Sequence, residues 1–126
     1  VSEGIVFLDL EDALLLCERL GVGPVRDLGL LGSALDRPRT TLFGADAYPD
    51  LPRKAAALVD SVVRNHALVD GNKRLGWMCL VVFLDLNGIW LEVDDDEAFD
   101  LVMAVAGGTV PLEDLGRNIA RWIAEV

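Results

Sequence analysis

Histidine occurs once and cysteine twice in this 126-residue chain, and lysine and arginine together number 11 against 21 aspartates and glutamates. Each scarcity excludes something. The formal charge of −10 repels a phosphate backbone, so direct nucleic-acid binding, including by a helix–turn–helix, is not expected. Cys17 and Cys79 both fall in apolar stretches that read as helical. Neither has metal-ligand spacing, so a disulfide framework is not expected and both read as buried thiols in a reducing, cytoplasmic setting. Long hydrophobic runs are also missing: the longest, Leu75 to Leu84, spans only about half a bilayer core. The start of the chain lacks the basic residues of a signal peptide, and no membrane association is expected. Serine and glutamine are scarce and no segment is of low complexity, while 52% of residues are hydrophobic, so long disordered segments are excluded. There is no P-loop, no kinase glycine-rich loop and no Asp-Phe-Gly signature.

The length suits one domain with one hydrophobic core, taken as residues 1–126. Helical spacing of apolar residues dominates and strand-like alternation is nearly absent, so the expected class is all-α with six helices. The first helix should follow Asp9, with Asp12 three residues on, and run to Leu20 before Gly21-Val22-Gly23-Pro24. A second is expected from about Arg26 to Asp36. Between Arg37 and Asp50, two prolines, a glycine and Thr40-Thr41-Leu42-Phe43 read as a surface flap, strand-like but too short to found a sheet. Pro52 suits the first turn of a third helix, in which Ala55, Leu58, Val59, Val62 and Val63 form one apolar stripe with His66 on the same side. A fourth helix, from about Asn72 to Asn87, is apolar on almost every side and should form the buried centre. Asp94, Asp95 and Asp96 fit the acidic first turn of a fifth helix better than a metal site, because successive helical residues diverge. Pro111 can open a sixth, which carries Ile119, Trp122 and Ile123. Trp77, Trp90 and Trp122 read as core and edge packing.

Chemistry concentrates in His66-Ala67-Leu68-Val69-Asp70-Gly71-Asn72-Lys73-Arg74. With His66 closing one helix and the following residues opening the next, free backbone N–H groups and a positive helix end should face the gap that His66 borders. Gly71 permits a sharp turn and close backbone approach, Asn72 can cap the helix or bond a phosphate oxygen, and Lys73 and Arg74 supply charge-assisted donors. A lone carboxylate such as Asp70 beside bound phosphates is the usual way to hold Mg²⁺. Imidazole is the side-chain type that exchanges protons near neutral pH. Base, metal ligand and anion cradle together make a phosphoryl-transfer set. Singly, each residue also has a bland reading: a core histidine, a turn, a helix cap. Lys73 and Arg74 beside the cap oppose the helix dipole, however, which points to a bound anion.

The stretch HALVDGNKR resembles the signature HxFx[D/E]GN[G/K]R of the Fic/Doc proteins, and its lysine before the last arginine resembles the Doc branch of death-on-curing toxins. The likeness in length and helical layout extends along the whole chain. The resemblance implies a compact six-helix bundle with a short flap. It implies His66 as general base, Asp70 as the Mg²⁺ ligand, and Gly71, Asn72, Lys73 and Arg74 as the phosphate-binding loop for ATP. It further implies transfer of the γ-phosphate to a hydroxyl of elongation factor Tu, and inhibition by a cognate antitoxin whose disordered tail folds as a helix in a surface groove.

Three positions depart from the family pattern. Leu68 replaces a phenylalanine that anchors the loop in the core, and a smaller apolar anchor should still serve. Lys73 stands where AMP-transferring members have glycine, and Trp77 stands where they have a second arginine, which disfavours adenylylation. An inhibitory-helix pattern [S/T]xxxE[G/N] is met only by Thr109 to Glu113 followed by Asp114, interrupted by Pro111, so inhibition from within the chain is not expected. Thr40, Thr41, Leu42 and Phe43 match in position the family's target-positioning flap, with an ordinary interhelix loop as the alternative. AMP transfer and a catalytically idle binding module stay open beside the kinase reading.

Overall fold

A computed structural model describes residues 4–126. Six helices account for most of it: α1 (Leu10–Leu20), α2 (Leu28–Asp36), α3 (Leu51–Arg64), α4 (Asn72–Leu86), α5 (Asp95–Ala106) and α6 (Leu112–Ala124). The all-α class and the six-helix layout hold. Helix α1 opens on a reciprocal cap: Asp9 Oδ1 accepts from the Asp12 N–H at 2.9 Å, and Asp12 Oδ2 accepts from the Asp9 N–H at 3.0 Å. It closes at Gly21, in the left-handed region with φ 68°. Helix α2 starts at Leu28, two residues later than the sequence pattern gives, because the N–H groups of Arg26 and Asp27 are drawn to the Ala67 carbonyl at 2.7 and 3.1 Å. Asp27 then caps α2 through the Leu30 N–H, and Asp50 caps α3 through that of Arg53.

Helices α3 and α4 share the centre. The sequence pattern assigns that place to α4 alone, yet α3 buries nine residues, Lys54 to Val59 with Ser61, Val62 and Val63, against six in α4. Small side chains explain the difference: Ala55, Ala56 and Ala57 let neighbours come close to α3 from several sides. At the α3–α4 crossing, a methyl group on Gly76 would stand 2.4 Å from Val63 Cγ2. Helices α2, α5 and α6 pack on α3, and α1 and α5 pack on α4. Trp122 of α6 meets Trp77 of α4 edge-on, with centroids 5.9 Å apart, whereas Trp90 stays exposed. Cys17 and Cys79 are buried free thiols.

Between α2 and α3 a single 3₁₀ turn (Arg37–Arg39) leads into β1 (Thr41–Leu42) and β2 (Ala45–Asp46). They pair antiparallel, Thr41 opposite Asp46 and Leu42 opposite Ala45. The segment read as too short for a sheet therefore finds a partner across Phe43-Gly44. Both of those residues have positive φ (52° and 81°), as the tightest hairpins require. Among the described residues, no helix is long and apolar enough to cross a membrane.

Candidate active site

Helix α3 stops before the histidine. Asn65 caps it, donating its N–H to the Ser61 carbonyl at 2.9 Å, and His66 takes the left-handed conformation with φ 53°. The expectation that His66 lies on the apolar stripe of α3 is thus corrected: the reversed backbone swings the ring off the helix, and the residue is exposed. A non-glycine residue there costs about 1–2 kcal/mol, which histidine tolerates better than most.

The loop that follows is anchored at Ala67 and Leu68, each 2% exposed. The leucine in place of phenylalanine still reaches the core. Asn72 fastens the same point from the other side: the Leu68 N–H donates to Asn72 Oδ1 and Asn72 Nδ2 donates to the Leu68 carbonyl, both at 3.0 Å. Asn72 is therefore a loop clamp and does not cap its own helix. Gly71 is the residue before α4, at φ 94°, and no side chain caps α4.

That missing cap exposes the site's chemistry. Asp9, Asp27 and Asp50 place a carboxylate on the first turns of α1, α2 and α3. At α4 the first N–H to find a protein acceptor is that of Leu75, on the Gly71 carbonyl at 2.9 Å. The N–H groups of Asn72, Lys73 and Arg74 have no acceptor among the described residues. Lys73 and Arg74 are exposed there, and neither has an acidic partner among the described residues. In contrast, Arg37, Arg53, Arg64, Arg117 and Arg121 each lie within 4.0 Å of a carboxylate. The Asp70 carboxylate is likewise exposed and accepts from no donor among the described residues. An uncapped helix start beside two exposed cations that have no acidic partner among the described residues has the chemistry to accept an anion.

This donor set also fits Mg²⁺ in company with phosphates. Among the described residues no three of His, Cys, Asp and Glu are grouped to hold a metal. A protein-only cage is thereby excluded for these residues, and a single carboxylate that leaves most positions to phosphate oxygens and water is what Mg²⁺ accepts.

The model of the Fic/DOC family matches residues 6–84. The chain belongs to the Fic/DOC family. The matched span runs from just before α1 into α4 and contains the whole His66–Arg74 stretch of this Fic/DOC chain. The chain is also 45% identical over 122 residues, 94% of each chain, to the protein named Toxin Doc of Mycolicibacterium smegmatis (strain ATCC 700084 / mc(2)155).

Two features of this Fic/DOC site escape sequence reasoning. The first is the α1–α2 connector, which reads as a mere break. Val25 bridges Leu68, the Gly23 N–H donates to the Asp70 carbonyl, and the Val69 N–H donates to that of Pro24, both at 3.0 Å. A methyl group on Gly71 would come within 2.4 Å of Val22 Cβ, so Gly71 also makes room for the connector. The second is the support of the flap. Buried Lys54 donates to Asp46 Oδ2 at 3.1 Å and to the Tyr48 carbonyl. Arg37 donates to the Tyr48 hydroxyl, Asp60 and Ser61 at 2.8–2.9 Å. Burial works against the Arg37 charge, but Asp60 and Tyr48 outweigh it and raise its pKa. Of the flap residues, Thr40 lines a 940 Å³ groove that runs past Leu28 and Ser61 to Asn65, the neighbour of His66. Thr41, Leu42 and Phe43 stand outside it, with Phe43 wholly exposed at the hairpin tip.

Proposed function

We propose that this chain is the toxin of a toxin–antitoxin pair and acts as a protein Ser/Thr kinase, moving the γ-phosphate of ATP to a hydroxyl of a translation factor such as elongation factor Tu. The observation that carries the reading is the start of α4, where uncapped N–H groups and the unpaired Lys73 and Arg74 meet exposed Asp70 and His66. ATP with Mg²⁺ would supply the phosphoryl group. Asp70 would hold the metal, and the α4 start with Lys73 and Arg74 would hold the phosphates by charge-assisted donation. His66 would take the proton from the target hydroxyl, since its ring is free of the helix and open to a partner. The target chain would lie in the groove between Thr40 and Asn65, aligned by the flap through strand pairing.

Lys73 and Trp77 favour phosphate over AMP transfer. Lys73 would fill part of the phosphate cradle, and Trp77 is half-buried against Trp122 rather than offered as a donor. Restraint in trans by an antitoxin tail that folds on the surface agrees with the α5–α6 junction. Thr109 lies in the loop before α6, its hydroxyl on the Ala104 carbonyl at 3.2 Å, and shares no helix with Glu113. The similarity to a protein named Toxin Doc supports the toxin reading.

Two assays test this. Titration calorimetry should show ATP binding that needs Mg²⁺ and is about 10-fold or more weaker in Arg74→Ala, which lacks one charge-assisted contact; unchanged affinity would remove Arg74 from the cradle. Induced expression should arrest growth with the wild-type chain and not with His66→Ala, and arrest by both would favour an idle binding module.

A further inference from the structure

His66 is held in place by very little of its own. Its ring is exposed and makes no hydrogen bond among the described residues, and its backbone sits at φ 53° without the freedom of glycine. The α1–α2 connector adds to the hold that Asn72 and the buried Ala67 and Leu68 have on the loop. Four of its ties join backbone to backbone: Gly23 to Asp70, Pro24 to Val69, and both Arg26 and Asp27 to Ala67. The fifth alone reaches the histidine, and it comes from a side chain: Arg26 Nη2 donates to the His66 carbonyl. Arg26 is itself exposed and has no carboxylate partner among the described residues, so its guanidinium serves this one contact.

We infer that Arg26 is the positioning residue for His66, fixing the histidine's left-handed backbone and so the direction from which its ring meets the target hydroxyl. This rests on the reading of His66 as proton acceptor. A carbonyl held by a charged donor cannot rotate with the loop, and the ring follows the same backbone bonds. The four backbone ties keep the loop docked without the guanidinium. Its loss should therefore free the histidine and leave the fold intact.

The test compares wild type with Arg26→Met, Arg26→Lys and Arg26→Ala. The chain has a single histidine, so its ring resonances in ¹H–¹³C NMR report this contact without any transfer reaction. Arg26→Met should unfold at the wild-type temperature, shift and broaden the histidine resonances, and lower kcat by about 10²-fold with the KM for nucleotide unchanged. Arg26→Lys should recover part of kcat, and guanidinium ion below denaturing concentration should recover part of it in Arg26→Ala. Unmoved histidine resonances in Arg26→Met would overturn the assignment. So would a raised nucleotide KM with unchanged kcat, which would make Arg26 a phosphate contact, or global unfolding, which would make it structural. A wild-type protein that transfers nothing would refute the transfer reading, while the resonances would still decide what holds His66.

Discussion

Gly71 sits at φ 94° with Val22 so close that a methyl group would stand 2.4 Å from Val22 Cβ, and these two constraints can be separated by substitution. Gly71→Ala should lose about 2 kcal/mol or more in urea unfolding, from the left-handed backbone and the clash together. Adding Val22→Gly, which removes that Cβ, should return the clash portion, measured against Val22→Gly alone, and leave the backbone portion; a strictly additive double variant would contradict the contact. His66→Ala should behave oppositely. Its ring is exposed, so stability should fall by less than the about 1–2 kcal/mol that the left-handed backbone costs, while transfer falls by about 10²- to 10⁴-fold. Cys79 is a purely structural case, its thiol pushed up to about 12 by burial. An unfolded thiol ionises from about pH 8.5 upward, so between there and pH 12 the unfolded state binds fewer protons and stability falls as pH rises. That part of the alkaline loss should be missing in Cys79→Ala. At this scale the sequence shows which residue types the site holds but not their partners. Nothing in the order of residues says that Asn72 faces Leu68 instead of capping α4, because the choice depends on where the loop is anchored.

The flap is the element whose support was least legible. Strand-like propensity over Thr40–Phe43 and the nearby Gly44 mark an extended piece and a turn, but its fastening lies in Lys54, which by sequence is one cation near the start of an amphipathic helix. In the fold Lys54 is 1% exposed and bound to Asp46 at the end of β2. Breaking such a pair by removing one partner leaves a buried charge, so Lys54→Met should cost about 3–5 kcal/mol in chemical denaturation. It should also speed amide exchange in the hairpin before the rest of the protein. A loss within a few tenths of a kcal/mol would mean that the ion pair is incidental. Helix starts were far easier to read: Asp9 and Pro52 mark theirs by local chemistry alone. The start of α2 was misplaced because Arg26 and Asp27 answer to Ala67, about forty residues away.

Across the whole molecule, a chain of net charge −10 leaves Lys73 and Arg74 without an acidic partner among the described residues at one helix end, against the global field. The class and the helix count followed from apolar periodicity, which a single core enforces everywhere. The candidate site was legible for another reason: its residues are contiguous, so their spacing survives without knowledge of the fold. The connector and the flap supports come from distant segments and needed the packing of α1, α2 and α3 to be seen. The central claim is that this acidic bundle moves a γ-phosphate through the His66–Arg74 loop. It is tested most directly by incubating the purified protein with Mg²⁺, cell lysate and ATP labelled on either the α- or the γ-phosphate, with His66→Ala as control. The expected result is γ-label on one protein band, absent with His66→Ala, and no α-label on protein. Label from the α-phosphate, or γ-label that persists in His66→Ala, would contradict it.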